Sequence, residues 1–216
     1  MRLPHILGLA MAVLLGACGS EPTGPGAIGQ PMAHATADAE VVAATPILSA
    51  DECVVPDPPP GTIPWANTAP PLERYCAAFW VVQGEDQVVS MAFADSADAK
   101  SRWFLRLFIP AYATFVDDTG SPLSDGSVVR VTVAVHPTLY AVRFGPHGSG
   151  FGGARPAVLK LNYSWADLGK KDAKDLIIYY QSEEEGLWEA QLTSVDNKGN
   201  FVSTWLYHFS NYAVAW

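Results

Sequence analysis

The chain has 216 residues and carries 13 Lys and Arg against 22 Asp and Glu, for a formal net charge of −9. This acidic balance argues against nucleic acid as a partner, because binding to phosphates requires Lys and Arg. Aromatic residues make up 11% of the chain, which excludes a wholly disordered protein and leaves enough apolar side chains for one packed domain.

The first predicted element is a targeting segment at residues 1–17. Arg2 is followed by an apolar run over residues 6–15, and Leu15-Gly16-Ala17-Cys18 closes it. The run is shorter than the roughly 20 residues that a membrane-spanning helix needs. A basic start, an apolar centre and small residues at the end predict a secretory signal peptide, so we expect an exported protein.

This segment resembles the signal peptides of bacterial lipoproteins, in which the cysteine after the cleavage site is lipidated. The resemblance implies a diacylglyceryl group on Cys18 and often a further acyl chain such as palmitate, which together anchor a protein firmly to a membrane. It predicts a location in the cell envelope. Gly19 stands where an Asp favours retention in the inner membrane, so we expect the outer membrane, facing the periplasm or the surface.

Two segments without a clear strand pattern follow the signal peptide. Residues 18–50 are rich in Ala, Gly, Pro and Thr and are predicted to form a flexible tether, and residues 51–75 are Pro-rich and irregular. Cys53 and Cys76 flank the Pro-rich stretch. An even pair of cysteines in an oxidising compartment predicts a disulfide, with two free thiols as the alternative.

Residues 76–216 consist of short β-branched and aromatic runs separated by turn residues. Ten runs are predicted as strands: 77–83, 87–94, 102–109, 128–136, 139–144, 157–163, 176–181, 187–195, 200–207 and 212–216. Gly84-Glu85-Asp86 and Asp196-Asn197-Lys198-Gly199 are predicted to form hairpin turns. The spacing predicts an all-β fold, an antiparallel β-sandwich of about nine or ten strands. The Gly-rich segment 145–153 is predicted to be a mobile surface loop.

Residues from about 89 to 216 resemble the ZU5 domain, a β-sandwich found in ankyrins, netrin receptors and bacterial exported proteins. The residues that carry the resemblance are 107–111, 125–133, Phe144-Gly145-Pro146 with 155–161, and 176–180 with Gly186-Leu187-Trp188 and 208–214. The chain departs from the family at Ala111-Tyr112-Ala113, where a glycine is usual, and in the Gly-rich segment. The predicted lipid anchor, the tether, the strand pattern and the lack of a convincing catalytic set together predict a non-catalytic binding or structural module.

His208-Phe209-Ser210 is the candidate catalytic motif. Some relatives cleave their own chain between Phe and Ser of such a motif, which would make Ser210 the nucleophile and His208 the base. The simpler interpretation is a strand end with Phe209 in the core and with His208 and Ser210 on the opposite face. Cleavage would require strained backbone geometry, which the motif alone does not establish.

The remaining residue patterns concern metal binding and sugar binding. His136, His147 and His208 lack the short spacing of zinc ligands, and the acidic turns lack the spacing of a calcium loop, so no metal or cofactor is predicted. Trp165, Trp188 and Trp205 would suit stacking on sugar rings if they were exposed, although core packing is the more frequent role of such residues. Three hypotheses therefore remain: a non-catalytic module with an unknown protein partner, a self-cleaving domain, and a glycan-binding sandwich.

Overall fold

The computed structural model describes residues 39–41, 48–94, 102–117, 119–152, 156–182 and 186–216. The predicted signal peptide and Cys18 lie outside the described residues. Within the described ranges the protein is all-β, as predicted, with fourteen strands and two short 3₁₀ helices at Asp51–Cys53 and Ala173–Asp175. None of the helices in this part of the chain is long and apolar enough to cross a membrane.

Twelve strands form two six-stranded sheets that pack as a sandwich. Sheet A contains β1 (Ala39–Val41), β3 (Gln87–Ala92), β4 (Trp103–Ile109), β9 (Ala157–Asn162), β12 (Ser194–Asp196) and β13 (Phe201–Leu206), in the order β1-β3-β4-β9-β13-β12. Sheet B contains β2 (Cys76–Val82), β6 (Val128–Val135), β7 (Ala141–Gly145), β10 (Ile177–Gln181), β11 (Trp188–Ala190) and β14 (Asn211–Ala215), in the order β11-β10-β14-β7-β6-β2. A separate ribbon pairs β5 (Thr114–Val116) with β8 (Gly150–Gly152).

Pairing is antiparallel throughout the described strands, except that β1 lies parallel to β3. β1 belongs to the segment predicted as a tether, and its three residues pair with residues 87–89 at the edge of sheet A. The other sheet edges are β12, β11 and β2.

The core follows from the period-two alternation of strand side chains. On β2, Ala77, Phe79 and Val81 are buried, whereas Trp80 between them is exposed. Aromatic contacts concentrate in two clusters inside the sandwich. The first contains Trp65, Phe93, Phe104, Tyr140 and Trp165, and the second contains Phe115, Phe144, Phe151, Phe209 and Tyr212.

The predicted hairpin at Gly84-Glu85-Asp86 is wrong, because β2 belongs to sheet B and β3 to sheet A. The turn instead carries the chain from one sheet to the other. The buried Gln87 amide takes the place of a partner strand for Val82, since it accepts from the Val82 N–H at 3.0 Å and donates to the Val82 carbonyl at 2.7 Å. The Gln87 side chain thus satisfies the N–H and the carbonyl of Val82, which in a hairpin would pair with the backbone of the following strand.

The single strand predicted over 187–195 is also wrong, since it divides into β11 of sheet B and β12 of sheet A. The second predicted hairpin is confirmed, because β12 and β13 pair around residues 197–200. The Asp196 carboxylate accepts from the backbone N–H groups of Lys198 and Gly199 at 2.8 and 2.9 Å, which stabilises this turn.

The Gly-rich segment is not a surface loop over its whole length, because Gly150 and Phe151 are buried in β8. A Cβ atom at Gly150 would clash with the backbone carbonyl of Tyr207, so the close approach of these two chain segments requires glycine. The sequence pattern did not predict β8, because Phe151 has glycine on both sides and the strand therefore shows no alternation of side chains.

Candidate functional site

The His208-Phe209-Ser210 motif lies directly before β14, where backbone hydrogen bonds hold it from two sides. The Phe209 N–H donates to the Ser149 carbonyl at 2.8 Å, and the Ser210 carbonyl accepts from the Phe144 N–H at 2.9 Å. Phe209 is fully buried in the second aromatic cluster. The segment is therefore an integral part of the sandwich, held by β7 and by the residue before β8.

Ser210 and His208 occupy different environments. The Ser210 side chain is buried, whereas His208 is exposed. The Ser210 hydroxyl donates to the Gln181 carbonyl at 2.6 Å. A backbone carbonyl orients a hydroxyl proton but does not remove it, so this contact does not activate the serine as a nucleophile.

The backbone around the motif adopts ordinary conformations. Among the non-glycine residues that the structure describes, Asn200 alone has a positive φ, at 54°. The residues on either side of the Phe209–Ser210 peptide bond are not in the left-handed region, where backbone strain would be stored.

A polar groove opens beside Ser210 and encloses about 360 Å³. Its lining includes His147, Gln181, Ser210 and Asn211. The Asn211 amide donates to Gln181 Oε1 at 2.8 Å, while its own Oδ1 is buried and lacks a donor among the described residues. Arg143 Nε donates to His147 Nε2 at 2.8 Å, which requires that this ring nitrogen be unprotonated. The groove is therefore lined by side chains that hydrogen-bond to one another and to their neighbours.

A second feature of sheet B is a clip formed by residues 51–54, which lie against β6 and β7. The predicted disulfide is present between Cys53 and Cys76, and the Glu52 carboxylate forms an ion pair with Arg130. Arg143 Nη1 donates to the carbonyls of Asp51 and Val54 at 2.8 and 3.0 Å. The hydrogen bond from Arg130, together with one from the Ser49 N–H, lowers the pKa of Glu52 to about 2.

The three tryptophans considered for sugar stacking do not share a surface. Trp165 packs against Phe93 in the first aromatic cluster, and Trp188 lies on the edge strand β11 of sheet B. Trp205 lies on β13 of sheet A, next to Val158 in the cross-strand register. The structure thus separates residues that sequence reasoning had grouped.

Sequence reasoning also missed residues that the structure brings together on the outer face of sheet A. Trp103 and Phe201 lie with ring centroids 6.1 Å apart, and Lys160 lies between the rings of Phe108 and Phe201 at 4.8 and 4.9 Å. Arg106 stacks over Trp103 at 5.1 Å. Apolar–charged alternation along β4 and β9 was visible in the sequence, but the strand register that joins the two was not.

The acidic turns hold their carboxylates with local hydrogen bonds. Asp117 accepts from the Thr119 hydroxyl and from the backbone N–H groups of Thr119 and Ser121, and these bonds lower its pKa. In the described ranges, no three His, Cys, Asp or Glu side chains form a group suited to a metal ion.

Comparisons of the chain with protein-family models, with curated proteins and with solved structures return no match. The resemblance to the ZU5 domain therefore stays a prediction from the residues that carry it.

Proposed function

We propose that this protein is a lipoprotein of the cell envelope, anchored through Cys18, whose ZU5-like β-sandwich is a non-catalytic binding module. The observation that carries the proposal is the clip at residues 51–54. A pull on the lipid anchor would reach the domain first at β1 and then at this clip. The Cys53–Cys76 disulfide, the Glu52–Arg130 ion pair and the two hydrogen bonds of Arg143 fasten the clip to sheet B.

The environment of Ser210 supports the non-catalytic part of the proposal. Its hydroxyl donates to the Gln181 carbonyl, and no hydrogen bond joins it to His208 among the described residues. The oxidised cysteine pair supports export, because disulfides persist mainly outside the cytoplasm.

The anchor is tested by expressing the full chain in a bacterium with an outer membrane and feeding an alkyne-tagged fatty acid. We expect the wild-type chain to incorporate the label and to fractionate with membranes. Cys18→Ala should lose the label, whereas Cys53→Ser, a cysteine outside the signal segment, should keep it. Label retained by Cys18→Ala would refute the anchor, whatever the fraction in which that variant is found.

The intact mass of the purified chain distinguishes the self-cleaving alternative from the non-catalytic proposal. We expect no species truncated after Phe209, both in the wild type and in Ser210→Ala. A wild-type chain that loses residues 210–216 while Ser210→Ala stays whole would establish cleavage and overturn the non-catalytic proposal.

A further inference from the structure

The outer face of sheet A carries a cluster of aromatic and cationic side chains on three adjacent strands. Cross-strand pairing places Arg106 of β4 opposite Lys160 of β9, with Ser203 of β13 on the other side of Lys160. Along the strands, aromatic residues lie on both sides of this row: Trp103 and Phe201 on one side, Phe108 and Trp205 on the other. We name the set the aromatic–cation patch, and its members are Trp103, Arg106, Phe108, Lys160, Phe201 and Trp205.

A β-bulge helps to assemble the patch. Met91 pairs with Leu105 and Ala92 pairs with Trp103, so Phe104 is an extra residue on β4. Phe104 and Leu105 are therefore both buried, and Trp103 returns to the outer face, where it contacts Phe201. Without this bulge, period-two alternation would place Phe104 rather than Trp103 beside Phe201.

Positive charge in the patch is poorly compensated. Lys160 is only 7% exposed, and among the described residues neither it nor Arg106 forms an ion pair. Arg106 Nε is buried and meets no hydrogen-bond acceptor in the part of the chain that the structure describes. The charge of Asp196 raises the pKa of Lys160, but this carboxylate already accepts two backbone N–H groups of its own turn.

Physical chemistry disfavours such an arrangement in an unliganded protein. Two like charges directly opposite each other on neighbouring strands repel, and a buried cation is costly unless it is paired. Burial lowers the pKa of Lys160, and the charge of Arg106 lowers it further. Cation–π contacts with Phe108 and Phe201 offset part of this cost, but they supply neither a counter-charge nor a hydrogen-bond acceptor.

We propose that the aromatic–cation patch binds an acidic polysaccharide, with a hexuronate carboxylate at Arg106 and Lys160 and sugar rings against the flanking aromatic side chains. A carboxylate supplies both the missing charge and the missing acceptors. The C–H faces of pyranose rings stack on aromatic rings. Phe201 and Trp205 are four residues apart along β13, which places their backbone positions about 13 Å apart and suits a chain of sugars rather than one small anion.

This inference deepens the proposed function, on which it rests for the envelope setting of the ligand, but its test is independent of the lipid. The full chain, purified in detergent, is titrated with a galacturonate oligomer while tryptophan fluorescence is followed. The matched probe is the same oligomer with its carboxyl groups methyl-esterified, which keeps the sugar rings and removes the charge. We expect the acid form to bind at least about tenfold more tightly than the ester, since hydrogen bonds to charged groups are the stronger ones.

Two pairs of variants test the place of binding. Lys160→Met and Trp205→Ala should each weaken binding of the acid form by about tenfold. Their matched controls are Lys171→Met, which removes the cation stacked on Trp216 elsewhere, and Trp80→Ala, which removes an exposed tryptophan of sheet B. Both controls should bind as the wild type does.

Several results would each overturn the inference. One is no binding of the acid form at about 1 mM. Another is equal binding of the acid and ester forms, or equally tight binding of polyglutamate, which has carboxylates without sugar rings. A further one is a Lys160→Met variant that binds as Lys171→Met does. The comparison of acid with ester needs no variant, so it stands even if Lys160→Met fails to fold. Fatty-acid labelling reports on the anchor separately, so the failure of either proposal is distinguishable.

Discussion

Removing the Cys53–Cys76 disulfide should lower the free energy of unfolding by about 3 kcal/mol. The two cysteines are 23 residues apart in sequence, and the chain-entropy relation assigns about 3 kcal/mol to a loop of that length. The loop has other attachments in the folded protein. Ile63 is fully buried, its N–H donates to the Val214 carbonyl and its carbonyl accepts from the Tyr140 N–H. We therefore expect the folded loop to stay in place, with the loss arising in the unfolded chain.

The assay is urea denaturation of the Cys53→Ser/Cys76→Ser double variant, followed by tryptophan fluorescence. Trp65 lies inside the loop, with its ring centroid 4.2 Å from that of Tyr140, and reports on whether the loop stays attached. The wild type with reductant should match the double variant, and reductant should not change the double variant further. The slope of free energy against urea should rise, because an uncrosslinked unfolded chain exposes more surface.

A loss below about 1 kcal/mol would refute this account, since the crosslink would then restrict the unfolded chain far less than its loop length requires. A loss of the expected size with a shifted native fluorescence spectrum would refute the inference that the folded loop stays in place without the disulfide. It would show that the disulfide holds the folded loop in place.

Three further predictions concern the clip, Ser210 and β8. The pKa of Glu52 is lowered in the folded protein, so the clip stabilises above about pH 4.5 and this contribution fades as pH falls toward 2. Glu52→Gln should cost up to about 1 kcal/mol at pH 7 by urea denaturation and nothing at pH 2, and an equal loss at both values would contradict the ion pair. Ser210→Ala should cost about 1 kcal/mol, because the Gln181 carbonyl loses its side-chain donor, and an unchanged urea midpoint would contradict that contact. Gly150→Ala should lower the melting temperature most, with a loss of at least about 2 kcal/mol from the clash with the Tyr207 carbonyl. Gly120→Ala, in open space but at φ 80°, should cost only about 1 kcal/mol from backbone strain, and an equal loss in both variants would contradict the clash.

The strand positions were largely predictable because burial imposes a period of two on each strand. β2, β3, β4, β6, β7, β9, β10, β13 and β14 all coincide with predicted runs to within a few residues. The three-residue strands β5 and β8 were missed, because segments that short show too little alternation to be recognised. The disulfide was predictable from the expected export and from the pair of cysteines left once Cys18 is set aside, neither of which depends on geometry.

The partners of each strand were not predictable in the same way. Residues 84–86 have the composition of a hairpin turn, yet they carry the chain between the two sheets. Two neighbouring glutamine side chains, Gln83 and Gln87, hydrogen-bond to backbone groups that no partner strand pairs at this point. Gln83 accepts from the Phe115 N–H at 2.7 Å, and Gln87 contacts both backbone polar groups of Val82. Turn composition predicts that the chain changes direction, but it does not predict which strand the next segment pairs with.

For the candidate sites, the sequence by itself determined which residue types were available: a serine after a buried phenylalanine, two cysteines that form a disulfide, and cations alternating with aromatic residues. Tertiary structure decided what each one contacts. It directed the Ser210 hydroxyl to the Gln181 carbonyl, and it placed Lys160 between rings from β4 and β13. The physical reason is that alternation along a strand depends on local burial, whereas contacts across strands depend on register, which packing of the whole domain sets.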